Sequence, residues 1–88
     1  MTVISYFFGI AIKMFFKDHS PPHFHAEYQG MNGRFSISDG SYMDGNLPSR
    51  AVKIVSEWAL AHQIELTQDW DLAQRHQPLQ KIPGADND

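Results

Sequence analysis

An α+β domain is what this sequence predicts: a small antiparallel β-meander of three to four strands, with a C-terminal helical segment packed on one of its faces. Three observations lead there. The N-terminal half alternates apolar and polar residues with period two, punctuated by Gly, Pro, Asn and Asp. From Pro48 onward the apolar residues recur at steps of three and four instead. With 88 residues and no internal repeat or linker-like stretch, the chain makes one domain. We place it at residues 1–82. Residues 83–88 are read as a disordered tail, because the chain from Gln77 holds two prolines, a glycine and two aspartates.

Taken in order, Ser5 to Phe8 reads as a separate edge piece. Gly9 to Lys17 reads as a strand, in which Ile10, Ile12, Met14 and Phe16 alternate with Ala11, Lys13 and Phe15. Ser20-Pro21-Pro22 ends it, since a residue before proline is held extended and paired prolines make a stiff turn. His23 to Gln29 is the next strand, with Phe24, Ala26 and Tyr28 on one face and His23, His25 and Glu27 on the other. Gly30 to Gly33 is a hairpin connection, with Asn32-Gly33 as its turn signal. Arg34 to Ser38 follows as a strand, with Phe35 and Ile37 inward. After Asp39-Gly40, Ser41 to Asp44 makes a short last strand.

Pro48 suits the first turn of a helix. Ala51, Ile54, Val55, Trp58, Ala59 and His62 form an apolar stripe that continues through Leu66, Trp70 and Ala73. This is one long helix to about Arg75, or two helices with a break between His62 and Thr67, in which case Thr67 caps the second. Phe24, Tyr28, Phe35 and Ile37 would then meet Val55, Trp58 and Trp70. The histidine face of the second strand would point away from the helices.

Composition excludes several function classes. There is no cysteine, so no disulfide framework, thiolate ligand or thiol chemistry is available. Seven Lys and Arg against ten Asp and Glu give a net charge of -3, which cannot build a broad basic surface for duplex binding. The apolar run from Val3 to Phe16 is interrupted by Lys13 and is too short to span a bilayer. We expect a cytoplasmic protein with no membrane contact.

The chemistry concentrates in Asp18 to Tyr28, "DHSPPHFHAEY", which holds three of the five histidines. His-x-His on one strand puts two imidazoles on the same face, roughly 6–7 Å apart at the backbone. His23 and His25, with Glu27 on the same face and His19 or Asp18 folded back across the proline turn, compose a ligand set for a divalent transition metal. Without metal, the same imidazoles suit acid–base cleavage of a phosphodiester, with Lys13, Lys17 or Arg34 steadying the developing charge. The bland alternative is an exposed histidine-rich corner without chemistry. Elsewhere the structural readings prevail. His62 fits a packed core histidine, Trp58 and Trp70 are core aromatics, and Glu57, Glu65, Asp69 and Asp71 form an acidic helical face for solvent or a partner.

"ISYFFGIAIKMFF", the intact Asp-His-x-Pro-Pro-His-Phe-His run at Asp18 to His25, Gly45 to Pro48 leading into "SRAVKIVSEWALAH", and Glu65, Leu66 and Trp70 together resemble the small bacterial domain-of-unknown-function family numbered 4160. The resemblance covers about residues 3 to 82. It implies a toxin-like component of a toxin–antitoxin pair, often encoded beside a small protein of family 2442. It makes Asp18, His19, His23 and His25 the candidate catalytic positions and supplies a cognate antitoxin as the expected partner, beside self-association as a homodimer. The expected function is that of a toxin acting on RNA or another nucleic-acid-linked substrate, in the manner of a nuclease-like hydrolase. The alternative is a non-enzymatic regulatory or binding module that uses the histidine turn as a contact surface.

Overall fold

Two tight turns with left-handed backbone determine how the sheet is assembled. In the computed structural model, which describes residues 2–87, Phe8 and Gly9 have φ of 51° and 77°, and Gln29 and Gly30 have 49° and 80°. Two consecutive left-handed residues are what a two-residue hairpin of the right twist requires. The first turn joins β1 (Thr2–Phe7) to β2 (Ile10–Met14), and the second joins β3 (His23–Tyr28) to β4 (Met31–Ser36). With β5 (Tyr42–Gly45), these strands form one antiparallel meander in the order β1-β2-β3-β4-β5. The α+β class holds, but there are five strands rather than three to four. Met1 and Asp88, the outer ends of the expected domain and of the expected tail, lie outside the described residues.

The additional strand is β1, of which Ser5 to Phe8 had marked only the end. Its alternation is obscured by a bulge between Val3 and Ser5, where the pairing with β2 slips. Ile4 and Phe7 are consequently both buried although three residues apart. The hairpin turn also moves. Asn32 and Gly33 lie within β4, opposite Glu27 and Ala26, and Gln29-Gly30 makes the turn. Gly33 is needed for close packing: a Cβ there would meet Tyr42 Cε1 at 2.6 Å and Leu47 Cδ1 at 2.8 Å.

Two helices follow, α1 (Ser49–Ala61) and α2 (Gln63–Gln74), separated at His62. Thr67 is an exposed residue inside α2 and caps nothing. Val55, Trp58, Leu66 and Trp70 pack on Ile10, Ile12, Met14, Phe24, Ala26 and Phe35, which forms a single core between helices and sheet. Phe24 stacks on Phe35 at 5.4 Å and presents an edge to Trp58 at 5.8 Å. Among the described residues no helix is long and apolar enough to cross a membrane.

After α2 the chain returns across β1. The Ile82 amide donates to the Ile4 carbonyl at 2.8 Å, and Lys81 Nζ to that of Val3 at 2.6 Å, so part of the sheet's first edge is covered. The Trp58 indole donates to the Pro83 carbonyl at 2.9 Å, and Gly84 is buried against Phe7. A short 3-10 turn follows at Ala85–Asn87. Residues 83–84, assigned from composition to a disordered tail, pack on the core through Pro83 and Gly84.

Candidate functional site

The other face of the sheet lies opposite the core packed by α1 and α2. One cross-strand row on it reads Lys13 on β2, His25 on β3, Arg34 on β4 and Asp44 on β5. His23 lies two residues before His25, opposite Ser36. Period two places both imidazoles on this face, as expected, but His23 is only 2% exposed. It is the first residue of its strand, and its ring lies 5.5 Å from that of Trp70 on α2. The expected separation of the histidine face from the helices thus fails at His23, which packs against Trp70 of α2.

The segment between β2 and β3 brings an acid to the two histidines. Lys17, with a left-handed φ of 53°, donates its amide to the Ala73 carbonyl at 3.2 Å, and Gln74 Nε2 donates to the Asp18 carbonyl at 3.3 Å. These bonds fasten the loop to the end of α2. Asp18 Oδ1 accepts the His19 amide at 2.9 Å. Its Oδ2 stands 3.1 Å from His25 Nε2 and 3.0 Å from His23 Nε2. The chain then turns through a cis Ser20–Pro21 peptide into Pro22 and β3.

The protons on His23 can be assigned from chemistry. His23 Nδ1 lies 2.8 Å from the Pro21 carbonyl, which can only accept, so Nδ1 carries the hydrogen. In the neutral ring Nε2 is then a bare lone pair. It is buried and, despite its proximity to Asp18, has no aligned hydrogen-bond partner. The ring of His25 meets the edge of Phe15 at 4.4 Å and that of His23 at 5.1 Å. Burial pushes the His25 pKa down. The hydrogen bond and charge of Asp18 oppose this, while the charges of His23 and Arg34 add to it, and the net shift is downward. Burial alone would raise the Asp18 carboxyl, but its bonds from His25 and the His19 amide, with the two nearby imidazoles, hold it below the ordinary value of 3.8.

Of the residues singled out in the sequence, the structure brings Asp18, His23 and His25 together. One ligand atom from each lies within 4.8 Å of the others. His19 contributes its amide, and its exposed side chain is not in the cluster. Glu27 is bound by Lys13 at 2.6 Å and is also outside it. Arg34 flanks His25 in register and forms a two-pronged pair with Asp44, with Nε to Oδ1 at 2.9 Å and Nη2 to Oδ2. Lys17 is exposed beside Asp18. Among the described residues this is the one His–Asp grouping with metal-ligand convergence. His62 is buried, its Nδ1 paired with Glu65 at 2.9 Å and its ring 5.3 Å from Trp58, which suits a packing role.

Two features went unread in the sequence. Trp70 walls the cluster on the helix side. Asp69 is fully buried, not part of an exposed acidic face. Its Oδ1 accepts the Gln80 amide at 2.8 Å, its Oδ2 has no partner, and burial, only partly opposed by the Gln80 bond, raises its pKa. The signal was its spacing, three after Leu66 and four before Ala73, which places it on the buried stripe.

Concavities lined by Glu65, Asp71, Arg75 and Lys81, and by Phe8, Tyr28, Arg50 and Ile54, do not include Asp18, His23 or His25. The cluster is reachable from solvent through Asp18 and His25, whose side chains are 20% and 25% exposed. No curated protein matches the chain, and no solved structure does. A family model described as "Domain of unknown function (DUF4160)" matches residues 9–71, which spans β2 to α2 and contains all three clustered residues. Since that match covers more than half of the chain, the protein belongs to the DUF4160 family.

Proposed function

We propose that the protein is a small phosphodiester-cleaving hydrolase that acts on RNA in the cytoplasm, as the toxin arm of a two-gene bacterial module. The observation that carries this reading is the shared Asp18 oxygen, 3.1 Å from His25 Nε2 and 3.0 Å from His23 Nε2, at a solvent-reachable point of the sheet. A carboxylate that accepts from one imidazole nitrogen leaves the other nitrogen free as a base and stabilises the imidazolium that forms. His23 is buried behind the pair, so His25 is the imidazole a substrate meets.

In the proposed step, His25 takes the proton from a water or ribose hydroxyl as that oxygen bonds to phosphorus. The bond from phosphorus to the leaving oxygen breaks, and that oxygen takes up a proton from solvent. Arg34 and Lys13 flank His25 in the cross-strand row, where they would face the phosphate charge. Their present partners are Asp44 and Glu27. The Arg34–Asp44 pair is exposed and of a kind that contributes only about 0–1 kcal/mol, so a phosphate can displace it, whereas the Lys13–Glu27 pair is partly buried. The open site suits a polymer more than a small enclosed ligand. A cognate antitoxin that covers the same sheet face would block access, and a second copy of the chain is the other candidate for that surface.

The test is inducible expression of the wild type and of His25→Ala in a bacterial host, beside cleavage of a labelled RNA by purified protein. Wild type should slow growth and cleave RNA, and the adjacent gene product should restore growth. His25→Ala should do neither while remaining folded. Soluble, folded wild type that leaves growth and RNA intact would reject the hydrolase reading in favour of a binding module.

A further inference from the structure

The geometry points to a divalent transition-metal ion held by one Asp18 carboxylate oxygen and the Nε2 atoms of His23 and His25, with zinc as the best-matched chemistry. This rests on the same site as the hydrolase reading and changes one role in it: with the ion bound, His25 Nε2 is a ligand in place of a donor to Asp18, and the ion, not His25, would activate the attacking oxygen. Three ligand atoms converge with no pair more than 4.8 Å apart. Metal bonds of about 2.0–2.2 Å around a tetrahedral ion place neighbouring ligand atoms roughly 3.3 Å apart. The two nitrogen–oxygen separations here are 3.0 and 3.1 Å.

The decisive group is His23. With Nδ1–H committed to the Pro21 carbonyl, the neutral ring directs a bare lone pair toward a carboxylate oxygen, in a buried position with no hydrogen-bond partner. Two electron-rich atoms at that separation call for a cation between them. A proton on the nitrogen–oxygen line would show as an aligned hydrogen bond, which this contact lacks. A metal ion lies off that line and requires convergence rather than alignment.

The surroundings also match a metal centre. Ligating histidines ordinarily donate their second ring nitrogen to a carbonyl or carboxylate, which fixes tautomer and orientation, and the Pro21 carbonyl does this for His23. The His19 amide orients Asp18, while Trp70 and Phe15 wall the two rings. Two imidazoles and one carboxylate disfavour calcium and magnesium, which take oxygen ligands, and suit zinc, iron, nickel or copper. Three protein ligands leave a position open, and the exposed sides of Asp18 and His25 give solvent a path to it.

The experiment uses the full chain without an affinity tag, stripped with chelator and titrated with zinc by calorimetry, and with cobalt by visible absorption. Wild type should bind one ion per chain. Asp18→Asn and His25→Ala, checked as folded by circular dichroism, should lose stoichiometric binding. His19→Ala and Glu27→Gln should retain it. Wild type that binds no ion, or a folded His25→Ala that binds as wild type does, would overturn the metal assignment. RNA cleavage that persists in a chain shown to bind no metal would overturn it while leaving the hydrolase reading intact. A one-to-one metal complex without cleavage or toxicity would uphold the metal and reject the hydrolase.

Discussion

Replacing His23 by alanine should cost far more stability than replacing His25, although both point to the same face of one strand. The His23 ring is 2% exposed, lies 5.5 Å from Trp70, and donates to the Pro21 carbonyl at 2.8 Å. Truncating a buried phenylalanine costs about 3–5 kcal/mol, and the smaller imidazole belongs near the lower end. Losing its hydrogen bond adds about 1 kcal/mol, while removing a buried nitrogen without a partner returns about 1–2 kcal/mol. The net is about 2–3 kcal/mol. His25 is partly exposed, and its truncation should cost no more than about 1 kcal/mol. A domain of 88 residues has roughly 4–13 kcal/mol in total, so the His23 loss is a substantial fraction. Urea unfolding of chelator-treated proteins, followed by circular dichroism, reads the difference. With a slope of about 1–3 kcal/mol per molar, the His23→Ala midpoint should fall by roughly 1–2 M. Equal and small midpoint shifts for the two variants would refute the burial of His23 under α2.

Three further perturbations probe the frame around the site. Asp69 has a raised pKa in the folded state, so the folded protein binds more protons than the unfolded chain above the ordinary 3.8, and this contribution to stability fades as pH rises through the raised value. Wild-type stability minus that of Asp69→Asn should therefore decline with rising pH across the acid range; a difference that grows would contradict the buried carboxyl. Gly33→Ala places a Cβ against Tyr42 and Leu47 and should cost about 1–3 kcal/mol by overpacking, measured by thermal melting. A neutral result would restore Asn32-Gly33 as an exposed turn. Removing residues 83–88 deletes the acceptor of the Trp58 indole and should cost about 1–2 kcal/mol, with altered tryptophan emission; an unchanged protein would mean the tail is dispensable after all.

Local pattern carried the reading of the sequence where one face of an element is buried and the other is wet. The alternation in β2, β3 and β4, and the stripe from Ala51 to Ala73, are cases of this kind. It failed where pairing partners decide. Gln29-Gly30 and Asn32-Gly33 are both chemically acceptable turns, and the pairing of Glu27 with Asn32 and Ala26 with Gly33 selects the first. The bulge in β1 hid its period, and the burial of Asp69 depends on the returning Gln80 amide. At the site, His-x-His and the proline corner were legible as a concentration of ligands on one face. Asp18 and Glu27 were both legible as acids within reach, and the choice between them was not. Glu27 has the right spacing but is taken by Lys13 from the neighbouring strand, while Asp18 is delivered by a loop tied to the distant end of α2.

The central claim is that Asp18, His23 and His25 form one unit, with the His23 Nε2 lone pair aimed into it. Long-range nitrogen–proton NMR of the histidine rings in chelator-treated protein tests this most directly. His23 should be the Nδ1–H tautomer with an unprotonated Nε2, and Asp18→Asn should shift the ring signals of both His23 and His25 while leaving His76 unmoved. His23 found as the Nε2–H tautomer, or Asp18→Asn that leaves the His23 and His25 rings unchanged, would contradict it.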